Sequence, residues 1–107
     1  MPHIKEKDWK LLRSMKDEKL AFFCDRVFAK LDNVIKNKGT ESHQAYRKLW
    51  KTLRREDDKI AAMFDDLKRS NAVRKLGAWR RYGILTDEEL QQFSEETRNS
   101  VVLLSEL

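Results

Sequence analysis

Residues 68–82 hold six basic side chains, Lys68, Arg69, Arg74, Lys75, Arg80 and Arg81, interleaved with Trp79 and Tyr82 and interrupted by no acid. Such a stretch suits a nucleic acid, because cations neutralise backbone phosphates and aromatic faces stack on bases. A helix-turn-helix reader fits less well. Ala72 and Gly77 stand one position further apart than a small residue and a turn glycine do in that motif, and an acidic segment follows instead of a basic recognition helix. The same stretch also has a structural reading, in which it packs against the acidic residues from Asp87 to Glu96.

Glu56 poses the sharpest single-residue question. It is the one carboxylate in the series Tyr46, Leu49, Leu53, Glu56, Ile60, Met63 and Leu67, whose alternating steps of three and four mark a helical seam. Buried alone, it would have a raised pKa and could act as a general acid or base; paired with a cation, it would set the register of the packing. Counting back from a turn at Gly39 places it near Phe23, Cys24 and Val27. The expectation is that it reaches solvent or Arg26.

Other reactive residue types do not assemble into a recognisable set. His3 and His43 are far apart and lack the His/Cys company that zinc spacing requires, so neither a metal nor any other cofactor is expected. Asp58 and Asp65 lie two helical turns apart, too far to share a proton or an ion, and belong to a solvated face. The three glycines, at 39, 77 and 83, form no phosphate loop. Cys24 lies several turns from His43 and reads as a small apolar residue kept reduced. No enzymatic activity is expected.

The elements that must position these residues are helices. A chain of 107 residues with 38% charged side chains, 3 Gly, 1 Pro and 1 Cys suits one helical domain over residues 1–107 and argues against a sandwich, a collagen-like fibre or a disulfide scaffold. A first long helix is predicted over about residues 15–37, opened by Ser14 and Asp17 as a capping box, with Leu20, Cys24, Val27, Leu31 and Val34 as its seam. Ala21, Phe23, Phe28 and Ile35 widen that stripe, whereas Phe22 falls opposite it. Asn37 to Thr40 makes the turn. A second helix is predicted over residues 42–69, capped by Thr40 or Ser42, and the short loop makes the pair antiparallel. Ser70 then opens a short helix with Val73, Leu76 and Trp79 facing inwards, although one unbroken helix from 42 to 82 is the alternative. Thr86 with Glu89, and Ser94, cap two further helices, and Ile4 to Leu12 forms a separate short one. The fold class is therefore all-α, a long antiparallel helical hairpin with shorter flanking helices packed across it.

Charge and apolar surplus bear on partners. The net +5 divides into +10 from Met1 to Gly83 and −5 from Ile84 to Leu107. No apolar window reaches the ~20 residues of a membrane span, and residues Met1 to Asp8 have no signal-peptide character, so a cytoplasmic, non-membrane chain is expected. Two helices cannot cover Phe22, Trp50 and the run Val101, Val102, Leu103 and Leu104, which are the candidate interface.

The runs Phe64-Asp65-Asp66-Leu67-Lys68-Arg69-Ser70 and Gly83-Ile84-Leu85-Thr86-Asp87-Glu88-Glu89-Leu90-Gln91-Gln92-Phe93-Ser94-Glu95-Glu96-Thr97-Arg98 resemble a family of short uncharacterised bacterial helical proteins of phage-like regions and integron gene cassettes. The resemblance implies a small bacterial cytoplasmic accessory protein and brings no catalytic residues. The leading expectation is a non-enzymatic interaction or oligomerisation module, a homodimer or a binder of another protein. The alternative is nucleic-acid binding through residues 68–82.

Overall fold

The computed structural model describes residues 4–107, so His3 lies outside the described residues. The fold is all-α: α1 (Glu6–Lys36), α2 (Ser42–Phe64), a single 3₁₀ turn (Arg69–Asn71), α3 (Ala72–Arg81), α4 (Asp87–Leu90) and α5 (Glu95–Ser105). α1 and α2 form the antiparallel hairpin, and the shorter helices pack at its base, away from the turn. The longest dimension is 53 Å. A helix of α1's 31 residues spans about 46 Å, so α1 is the spine of nearly the whole molecule.

Three boundaries differ from the sequence expectations. Ser14 opens no helix: its hydroxyl donates to the Leu11 carbonyl at 2.6 Å inside α1, and the segment from Ile4 joins the first long helix. No Gly or Pro occurs between residues 5 and 38, so nothing there interrupts helix propagation. α2 follows Glu41 with no side-chain cap, so neither Thr40 nor Ser42 plays that part. α2 also ends at Phe64, not 69. Asp66 takes a left-handed φ of 54°, and the Asn71 amide fastens the turn by accepting from Lys68 N at 3.0 Å and donating to Asp66 O at 2.7 Å. The break is made by Asn71, and Ser70 is exposed.

The core sits at the base. Leu12, Met63, Leu76, Trp79, Ile84, Phe93 and Val101 are buried there, and the Trp79 indole donates to Met63 O at 3.0 Å while packing on Phe64. Gly77 marks the closest approach of α3 and α5: a Cβ at that position would lie 2.9 Å from Leu104 Cβ. Thr86 and Glu89 form the expected capping box, with Glu89 N donating to Thr86 Oγ1 at 3.1 Å and Thr86 N donating to Glu89 Oε1 at 3.0 Å. Glu89 also receives Lys19 Nζ at 2.6 Å, which ties α4 to α1.

One tie has no counterpart in the sequence expectations. Asp8, fully buried in the first turn of α1, receives Ser94 N at 3.0 Å, Ser94 Oγ at 2.6 Å and Thr97 Oγ1 at 2.8 Å. Ser94 therefore stands at the N-cap of α5 but sends its hydroxyl to Asp8, whose carboxylate meets the positive end of that helix. Burial pushes the Asp8 carboxyl up, yet the hydrogen bonds from Ser94 and Thr97 outweigh it and hold the pKa below the ordinary value.

Candidate interaction surfaces of the hairpin

Residues 68–82, the alternative nucleic-acid surface, are divided between core and exterior, with Lys68, Arg69, Arg74 and Arg81 exposed. Trp79 is fully buried and cannot stack on a base, and Lys75 is buried with its ammonium donating to Ala61 O at 3.2 Å. Arg69 donates to Ile4 O, Arg80 to Ser105 Oγ, and Arg81 to Leu104 O at 2.8 Å. Tyr82 is half-buried beside Lys59 and Arg81, and Lys68 pairs with Asp66. Arg74 is exposed without such a partner. These side chains are spent on α3's neighbours. Arg80 and Arg81 meet the carboxyl end of α5, not the acids from Asp87 to Glu96, because free carbonyls at a helix C-terminus attract cations.

The expected interface residues also separate. Val101 is fully buried in the chain's own core, Val102 and Leu104 pack half-buried against it, and Leu103 is exposed. Phe22 is half exposed on the side of α1 near Arg26. Trp50, half exposed, belongs to a different and larger surface.

That surface lies on one flank of the hairpin. Phe28 is 67% exposed, Ile35 52%, Tyr46 61%, Trp50 51% and Leu53 40%, with Leu31 and Leu49 half-buried between them. At about 100° per residue, Phe28, Leu31 and Ile35 fall on one side of the α1 seam; Tyr46, Leu49, Trp50 and Leu53 fall on one side of the α2 seam. Antiparallel pairing brings both sets to the same flank. Phe28 and Ile35, expected to widen the buried stripe, are thus a correction: near the turn the hairpin is two helices thick, and among the described residues no third element lies over them. Asp25 and Asp32 run along the α1 edge of this flank, and Arg47 and Arg54 along the α2 edge.

The opposite flank is basic. A cleft of about 270 Å³ between the helices is lined by Lys30, Asn33, Lys48, Thr52, Arg55 and Lys59, with Glu56 at its base. Two adjoining clefts share Lys48 with it, one of about 330 Å³ towards Lys38 and one of about 280 Å³ beside Arg47 and Lys51. Glu56 is 2% exposed and pairs with Lys30 across the hairpin and with Lys59 at 2.8 Å on its own helix. The expected partner, Arg26, instead donates to Tyr82 O at 2.9 Å. Burial pushes the Glu56 carboxyl up, but the lysine hydrogen bonds and charges prevail and hold it below the ordinary carboxylate value. It is an ionised anchor that orients two lysines, with no raised pKa for acid or base work.

Charge is concentrated in this arm. Residues 26–55 carry nine basic and two acidic side chains, a net +7, which leaves −2 for the rest of a chain of net +5. Arg47, Lys48, Lys51, Arg54 and Arg55 are all exposed, and none pairs with a carboxylate among the described residues. The signal was present in the sequence as five cations without an acid between Ser42 and Arg55.

Among the described residues no three of His, Cys, Asp and Glu gather in a way that could hold a metal ion, and no helix is long and apolar enough to cross a membrane. A further cleft, about 560 Å³, lies between α1 and the segment before α4, with Phe22 beside Glu18, Lys19 and Asp25. Comparison with family models, curated proteins and solved structures gives no match.

Proposed function

We propose that the chain is a non-enzymatic helical oligomerisation module that pairs with a second copy of itself through the apolar flank of the hairpin. The observation that carries this reading is the set of five large side chains, from Phe28 to Leu53, left 40% or more exposed on one side of two helices. Half to two thirds of a 150–250 Å² aromatic side chain is about 100 Å², so the flank offers roughly 500 Å² per copy and about 1,000 Å² in a dimer. That reaches the low end of specific interfaces and suits a reversible dimer with a Kd of about micromolar order.

The edges of the flank favour a like partner. A two-fold axis parallel to the helices sets α1 of one copy over α2 of the other, with both turns at the same end. Asp25 and Asp32 then run beside the partner's Arg47 and Arg54, acid against base on both edges. The resulting four-helix bundle buries Phe28, Ile35, Tyr46 and Trp50 together.

Sedimentation equilibrium at 100 µM protein and 300 mM salt tests this. The expected mass is twice that of one chain, returning to the single-chain mass for Phe28→Glu with the helical circular dichroism retained. A wild type that stays at the single-chain mass would overturn it.

A further inference from the structure

The two flanks of the hairpin differ in chemistry, and the apolar one leaves the basic one facing outwards in the dimer. We infer that the basic groove on the far flank, lined by Lys30, Lys48, Lys51, Arg55 and Lys59, binds the phosphate backbone of nucleic acid without regard to sequence. This site is separate from residues 68–82 and does not depend on self-association.

Three observations lead there. First, the cations converge. Lys30 comes from α1 and the others from α2; Lys30, Lys48, Arg55 and Lys59 line one cleft with Glu56, and Lys48 joins it to a second that holds Lys51. Second, Glu56 is ion-paired with Lys30 and Lys59, and Lys48, Lys51 and Arg55 pair with no carboxylate among the described residues. Lys48 with Lys51, Lys51 with Arg55, and Arg55 with Lys59 are like charges three or four residues apart on one helix, each pair destabilising by a few tenths of a kcal/mol unless an anion is present. Third, the dimensions fit. Lys48 to Lys59 spans about 16 Å of helix, enough for three successive phosphates of one strand, and no rigid donor set reads base edges. The local acids are Glu56 at the base of the groove, Glu41 at its turn end and the exposed Asp58, three residues after Arg55 on the same helix.

A polyanion held this way loses affinity with salt in proportion to the phosphates neutralised. With about three phosphates engaged, affinity falls about 40-fold between 50 and 200 mM salt. Removing Lys48, Lys51 and Arg55 leaves at most one such contact and reduces that to about fourfold or less.

The test is fluorescence anisotropy of a labelled 20-base-pair duplex of random sequence, titrated with the full chain at both salts. Lys48→Gln, Lys51→Gln and Arg55→Gln are combined in one variant, and Lys7→Gln, Lys68→Gln and Arg74→Gln in a second that removes the same charge from outside the groove. Glutamine is a good helix former and all six positions are exposed, so both variants fold. The expected result is saturable binding, with the salt dependence flattened for the first variant and retained for the second. Equal weakening in both would mean that net charge alone attracts the duplex, and would overturn the groove. Absence of wild-type binding at 50 mM salt would overturn it too. So would displacement of the duplex by poly-L-glutamate at equal charge concentration, which would assign the groove to acidic protein.

Discussion

Replacing Asp8 with Ala removes the acceptor of three hydrogen bonds that join the first turn of α1 to the start of α5, 86 and 89 residues later. Hydrogen bonds to an ionised group contribute about 1.5–3 kcal/mol each in net terms, but these three share one desolvated carboxylate and do not add in full. The anion also faces the amino end of α5, a contribution of about 0.5–1 kcal/mol. The Thr97 hydroxyl, 4% exposed, would be left without its acceptor. Together these give a loss of about 3–4 kcal/mol, which for a domain of this size lowers the Tm by about 15 °C or more. Asp8→Asn keeps one acceptor oxygen and should lose about half as much. Urea unfolding followed by circular dichroism measures it, with the m value expected to stay constant. Combining Asp8→Ala with Thr97→Val should show a coupling of about 1–2 kcal/mol. A loss under about 1 kcal/mol, or a cycle that adds with no coupling, would refute the reasoning and make the contact incidental.

Acid should unfold the protein over a defined window. Asp8, Glu56 and Glu89 all have folded pKa values lowered by their hydrogen bonds and lysine partners, so their stabilisation is complete above the unfolded carboxyl range of about 4 and is lost as the pH falls through the lower folded values. The Tm should be flat from pH 7 to 5 and drop steeply below 4; an equal Tm at pH 3 and pH 6 would contradict this. Gly77→Ala should destabilise despite a gain in helix propensity of up to about 1 kcal/mol, since the new Cβ meets the Leu104 Cβ, not the free end of a side chain, and α5 must move. A raised Tm would show that α3 and α5 are less tightly opposed.

Local chemistry was legible where it repeats at short range. The Thr86–Glu89 capping box, the antiparallel turn with Gly39 at φ 55° and the inward Trp79 all follow from neighbours within one helical turn. Features requiring knowledge of the third dimension were not. A stripe widened by Phe28 and Ile35 reads as core in sequence, and whether anything covers it depends on where α3 to α5 pack. Glu56 pairs about one turn from where counting back from Gly39 places it: the flexible lysine stem at position 30 reaches it, while Arg26 is drawn to the carboxyl end of α3. The aromatic residues among the cations of 68–82 suggested stacking, yet the inward direction of Trp79 already argued against its presenting a face to a base. Asp8 had no sequence signal beyond an acid near a helix start.

The basic arm also bears on the proposed pairing of the hairpin. Two arms of +7 brought flank to flank repel each other, and the strength of that repulsion depends on salt. In the two-fold arrangement the outward grooves lie about 20 Å apart, two helix layers of roughly 10 Å each. At 0.15 M salt, with a Debye length of about 8 Å, that distance is more than two screening lengths and the repulsion is weak; at 0.01 M the length is about 30 Å and the arms repel almost in full. Burial of the apolar flank and the acid–base edges must outweigh this term, so the proposed association through the flank should strengthen with added salt, the reverse of the inferred nucleic-acid binding. An anion in the groove removes the same charge that opposes pairing. By linkage, whatever that anion adds to the affinity of one copy for the other, pairing returns to the affinity for the anion. The buried Glu56, one residue beyond residues 26–55, offsets part of their +7 from inside without occupying the surface that a phosphate would need.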